Sequence, residues 1–158
     1  MRAIVLLAVL VGTGLAATTF VSSRASLGGD RTGSLFYVLT PVTPLVLLVV
    51  ACGAGYVRSS FRSGLGAGLL AALGALVGIV AVAMPEGAHW AETAGVFILD
   101  GDAPLTAPTP RDGALDALRS TLIFGPITWL PWPVIGAALG AALGRRWRPS
   151  RNRSARPA

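Results

Sequence analysis

Lysine is absent from this chain, and histidine and cysteine occur once each. Without lysine, all 13 cationic side chains are arginine. Arginine codons are GC-rich and lysine codons AT-rich, so the bias points to a high-GC bacterial genome. One cysteine, Cys52, cannot close an internal disulfide, and no C-x-x-C is present for zinc or redox work. One histidine, His89, excludes most histidine-based acid–base schemes within the chain. No G-x-S-x-G, phosphate-binding P-loop or H-E-x-x-H occurs either, so no catalytic constellation and no cofactor motif can be named. Charge is also scarce: 13% of residues are charged, about half the share of a soluble domain. A water-soluble fold of 158 residues could not cover its surface with so few.

What the chain does have is long uncharged runs. Arg2 and Arg24 are separated by 21 residues, Arg31 and Arg58 by 26, Arg62 and Glu86 by 23, and Arg119 and Arg145 by 25. A helix needs roughly 20 apolar residues to cross a hydrocarbon layer of about 30 Å. These runs predict an all-α membrane protein, a bundle of four transmembrane helices at about residues 3–21, 35–57, 64–84 and 127–143. Helices are required because lipid offers no partner to exposed backbone, and no ten-residue segment alternates as a barrel strand would. The first run also fits a cleaved signal peptide, with a basic start and small residues near Ala16. Yet it stays apolar through Val21, and either reading places the next loop outside.

Arginine counts set the orientation. With the N-terminus inside, the inner side holds Arg2, Arg58, Arg62 and six tail arginines, nine in all. The outer side holds Arg24, Arg31, Arg111 and Arg119, which are four. The positive-inside rule therefore places both termini in the cytoplasm of a multi-pass protein of the cell inner (plasma) membrane. All seven acidic residues fall outside. Arg145, Arg146 and Arg148, with Trp147 among them, follow the last span directly and suit an anionic membrane surface. Residues 148–158 read as a disordered basic tail. Nucleic acid is not indicated as a partner, because no folded basic domain or stacking platform accompanies these charges.

The spans hold no charged residue, which argues against proton-coupled transport. They hold small residues at helical spacing instead: Gly136, Gly140 and Gly144 in the last, and Gly64, Gly68, Gly74 and Gly78 in the third. Residues four apart share a helix face, and small ones let two backbones approach closely. The stripes serve either the chain's own core or a neighbouring subunit. Pro41 and Pro44 are expected to bend the second span near its outer third.

Between the last two spans, residues 85–120 form a long outer loop, expected to be partly ordered and to carry a short interfacial helix with Asp112 as its N-cap. Its chain should break at Gly125–Pro126 or at Pro131–Pro133, leaving Trp129 and Trp132 at headgroup level. Val96–Leu99 could form a short strand. Glu86, His89 and Glu92, spaced by three, are weak candidates for a metal. They would spread over about 120° of a helix, wider than a compact ligand set, and would need Asp100 or Asp102 to close it.

The residues favour a structural or accessory subunit that packs against a larger membrane complex or against copies of itself. The alternative is a passive channel or small-solute transporter acting as an oligomer, with the span-2 prolines beside the pore. Lipid is the one partner the composition requires.

Overall fold

A computed structural model describes residues 2–27, 41–94 and 109–147, and every regular element among them is helical. Five helices follow in order: α1 (Arg2–Leu27), α2 (Val42–Arg58), α3 (Phe61–Ala94), α4 (Pro110–Trp129) and α5 (Pro131–Arg146). Three stretches are long and apolar enough to cross a membrane: Leu6–Arg24, Phe61–Thr93, and α4 with α5 together as Pro110–Arg146. The apolar helix α2 is shorter, at 17 residues.

Glycine contacts fix how the helices run. Gly74 lies against Ala8 and Gly78 against Gly12, so α1 and α3 are parallel. Gly136, Gly140 and Gly144 lie against the backbone of Leu48, Cys52 and Tyr56, so α2 and α5 are parallel too. Gly64 meets Ala137 and Gly68 meets Pro133, which makes α3 antiparallel to α5; Gly87 against Gly113 makes it antiparallel to α4. Helix α3 is therefore the central post. The other four all pack on it, and α5 packs on α2 as well.

The interior is small and the exterior large. Eight of the eleven buried hydrophobics are alanine, with only Leu15, Leu47 and Ile79 besides. Bulky side chains such as Val49, Val57, Leu73, Val77 and Ile127 stand more than half exposed. In water this distribution would leave large apolar patches uncovered. It suits a bundle whose surroundings are themselves apolar, where helices associate through close backbone packing.

Several boundaries differ from the sequence expectation. Helix α3 does not end at Met84 but runs through Pro85 to Ala94, and α4 starts at Pro110, so most of the described part of the expected 85–120 loop is helical. Pro85 removes one backbone donor, yet the turn beyond it is held by Gly87 against Gly113. Helix α4 does not lie across the end of the bundle; it runs back along α3, with Gly113 and Ala117 facing Gly87 and Ala91. Its N-cap is Thr109, whose hydroxyl accepts the Asp112 amide at 3.2 Å, so Asp112 is the third helical residue and not the cap.

The chain breaks at Leu130–Pro131, and only slightly. Leu130 keeps helical angles (φ −60°, ψ −31°) and its amide still bonds the Pro126 carbonyl. Trp129 does not sit at one end of the bundle. It packs against the core around Leu47, Ala72, Ala75 and Ile79, with its ring over Gly125. The prolines at 41 and 44 fall at the start of α2 as described from Val42. The expected bend of the second span lies at the edge of the described residues, since the residues before Pro41 fall outside them. Val96–Leu99, Asp100 and Asp102 lie outside the described residues.

Candidate functional site

Polar side chains concentrate at the end of the bundle where α1 finishes and α3 passes Pro85. Parallel packing brings Ser23 and Arg24 beside Glu86, His89 and Trp90. These three lie within about one and a half turns of α3 and share its α1-facing side. Glu86 is only 6% exposed, the most buried acidic residue described.

Its carboxylate is fully used. Oε1 accepts from Arg24 Nη2 at 2.8 Å, and Oε2 accepts from the Ser23 hydroxyl at 2.8 Å. Ser23 accepts in turn from the Trp90 indole N–H at 2.8 Å. The second arm of Arg24 donates from Nη1 to His89 Nε2 at 2.9 Å. A guanidinium can only donate, so this contact requires Nε2 to accept, which places the imidazole proton on Nδ1. Phe20, one turn earlier, places its ring 5.3 Å from the guanidinium carbon, within cation–π range. The Arg24 side chain is 44% exposed, so its charge is shared between this network and solvent.

A buried carboxylate costs free energy unless it is paired and hydrogen-bonded. Here both conditions are met by residues of a second helix, and the result is a clamp between α1 and α3. The arrangement also accounts for two of the metal candidates. Glu86 and His89 do converge, but on the Arg24 guanidinium, a cation the chain supplies itself. Glu92 is exposed and joins neither. Among the described residues no three His, Cys, Asp or Glu side chains gather as a ligand set.

Ser23, Arg24 and Trp90 are not singled out by sequence pattern, although a signal exists. Arg24 closes the first uncharged run and Glu86 closes the third. Parallel helices put those two run ends side by side, with opposite charges.

All seven expected packing glycines meet neighbours within the chain. A methyl added at Gly64 would sit 2.7 Å from the Ala51 carbonyl oxygen, and one at Gly68 2.8 Å from Pro133 Cβ. Gly74 and Gly78 face α1; Gly136, Gly140 and Gly144 face α2. By contrast Gly14, Gly53 and Gly66 have open space where a side chain would go.

The opposite end of the bundle is basic. Arg58 ends α2, Arg62 opens α3, and Arg145 and Arg146 end α5; all four are exposed, as is Trp147. Arg148 lies outside the described residues. The turn between α2 and α3 is tight: Ser59 takes a left-handed conformation (φ 51°), and the Ser59 and Ser60 amides bond the Tyr56 and Gly55 carbonyls.

One recess of about 380 Å³ opens sideways between Leu10, Leu15 and Thr18 of α1 and Val42 and Val46 of α2. The Thr18 hydroxyl is turned to the Leu15 carbonyl at 2.8 Å, so the recess presents apolar walls and no polar group to orient a ligand. No family model, no curated protein and no solved structure matches the chain.

Proposed function

We propose that the chain is a four-span protein of the bacterial plasma membrane with both termini cytoplasmic, serving as a structural or accessory subunit of a larger membrane assembly. The uncharged runs and the arginine asymmetry support the topology. Helix α2 is about 25 Å long as described from Val42, and the uncharged run that holds it begins in the sequence directly after Arg31. The acidic end, with its Arg24–Glu86 clamp, is extracytoplasmic. The arginine end is cytoplasmic.

The observation that carries the role is the way the polar groups are used. The reactive side chains that come together, Ser23, Glu86 and His89, are bound to one another and to Arg24 as a joint between helices. Past that joint, α3 runs on to Ala94 beside α4 from Pro110, with Gly87 against Gly113, and this pair would suit contact with another protein. The channel reading has less support. Within one copy the glycine seams bring backbones into contact, so a solute path would have to run between copies.

The test is isolation. Tagged chain extracted from its native membrane in mild detergent is expected to bring a defined protein partner at fixed stoichiometry. Recovery as a lone monomer in several gentle detergents refutes the accessory role. Solute-specific leakage from liposomes containing only this chain establishes the channel instead.

A further inference from the structure

We infer that the cytoplasmic end of the bundle is a binding surface for the headgroups of anionic phospholipids. The inference rests on the membrane reading above and adds a ligand to it. Four arginines from three helices converge there: Arg58, Arg62, Arg145 and Arg146. Their convergence follows from the packing, because Gly144 lies against Tyr56 and Ser59 and so brings the end of α5 to the α2–α3 turn.

Nothing described in the chain neutralises these charges. The only ion pair among the described residues is Arg24–Glu86, at the other end. The described carboxylates, Glu86, Glu92, Asp112 and Asp116, all lie toward that other end as well, on the last turns of α3 and the first turns of α4. Four unpaired guanidinium groups held close together repel one another and attract anions from outside the protein.

The form of the surface selects among anions. Tyr56, Phe61 and Trp147 are exposed at the same end, beside the arginines. Aromatic rings at this level sit among headgroups and acyl-chain ends. A ring of cations above such a belt, facing outward around a helical bundle, matches phosphates anchored in the leaflet. A soluble phosphate compound has no acyl chain to set beside these rings and so gains nothing from them. Arginine also holds phosphate through paired N–H donors, and in a zwitterionic headgroup the ammonium already offsets the phosphate charge that these donors would meet.

The experiment uses the full chain in phosphatidylcholine vesicles, with a small fraction of spin-labelled phosphatidylglycerol or spin-labelled phosphatidylcholine. The motionally restricted fraction reports lipid held at the protein surface. The anionic label is expected to be enriched over the zwitterionic one. Each arginine near an anionic surface contributes up to about fivefold, so the variant R58Q/R62Q/R145Q/R146Q should lose the enrichment altogether. The variant R111Q/R119Q, altered at the other end, should keep it.

Equal restriction of both labels by the unaltered chain overturns the proposal while leaving the membrane reading intact. So does full enrichment in the fourfold variant, which would assign the effect to the tail beyond Trp147. Displacement of the anionic label by inorganic phosphate, but not by chloride at equal ionic strength, overturns it in favour of a soluble ligand. Failure of the chain to enter vesicles at all overturns both this proposal and the membrane reading.

Discussion

The seam between α2 and α5 makes a quantitative prediction. A methyl group at Gly140 would fall 2.9 Å from the Cys52 Cα and 2.8 Å from its carbonyl carbon. Ordinary carbon–carbon contact lies at about 3.5–4.0 Å. The obstacle is backbone and cannot rotate away, so Gly140→Ala must push the two helices apart by about 1 Å. A gap of that size forfeits roughly a quarter to a half of the dispersion attraction between atoms facing each other across the seam. Overpacking of this kind costs about 1–3 kcal/mol, against which alanine's better helix propensity returns up to about 1 kcal/mol. Gly53→Ala is the control, one residue from Cys52 on the same helix but with nothing within 4 Å of the added methyl. It keeps the propensity gain and carries no clash. The two variants share their chemistry and nearly all of their unfolded-state effect, so their difference of about 2 kcal/mol isolates the seam. Unfolding in mixed micelles by titration with a denaturing detergent, followed by far-ultraviolet circular dichroism, measures it. Adding Gly136→Ala to Gly140→Ala should cost less than the sum, since the second methyl enters a gap already opened. Equal stability of the Gly140 and Gly53 variants would refute the close packing of α2 on α5.

Other parts of the molecule give predictions of their own. In the α1–α3 clamp the partners are unequal: Arg24 is partly in solvent and can turn to water, whereas Glu86 cannot. Arg24→Met should therefore cost about 2–3 kcal/mol, and Glu86→Gln, which keeps the shape and one acceptor, about 1 kcal/mol; the same unfolding titration shows whether the order is reversed. Ser59→Gly should stabilise the chain by about 1 kcal/mol, because glycine takes the left-handed conformation without strain and removes a buried hydroxyl that has no partner. For topology, Cys52→Ser chains carrying a single cysteine at Gly101 or Ser154 should react with a membrane-impermeant thiol reagent on whole cells only at residue 101. Reaction at 154 alone would invert the orientation.

The features legible in the sequence are those that one helix carries by itself. Three of the uncharged runs fall in helices long and apolar enough to cross a membrane, because a missing charge is a property of single positions, readable without knowing any neighbour. The stripe of Gly136, Gly140 and Gly144 is readable for the same reason, since spacing by four marks one face whatever lies opposite. The α2 side of the seam carries a weaker signal, Ala51 and Gly55 spaced by four, while the Leu48, Cys52 and Tyr56 carbonyls that receive these glycines carry none, because a carbonyl receives a glycine equally well from any residue type.

Misreadings arise where two helices share the work. Pro85 looks like a terminator in isolation, but the turn after it is held by Gly113 and Ala117 of α4 and by Arg24 of α1. Those contacts offset the missing amide bond, and the helix continues. Gly87 with Ala91, and Gly113 with Ala117, are also small residues spaced by four. They lie outside the uncharged runs, so their charged neighbours Glu86, Glu92, Asp112 and Asp116 make them resemble a solvated loop. Trp129 shows the same effect in reverse. An indole between prolines suggests a headgroup position, yet Gly125 one turn earlier leaves room for the ring against the alanine face of α3. Composition therefore locates the apolar layer, while pairwise packing decides how far the helices run beyond it. For this chain the pairing of α3 past Pro85 with the start of α4, tied to α1 through Arg24 and Glu86, is the part that one helix at a time cannot foretell.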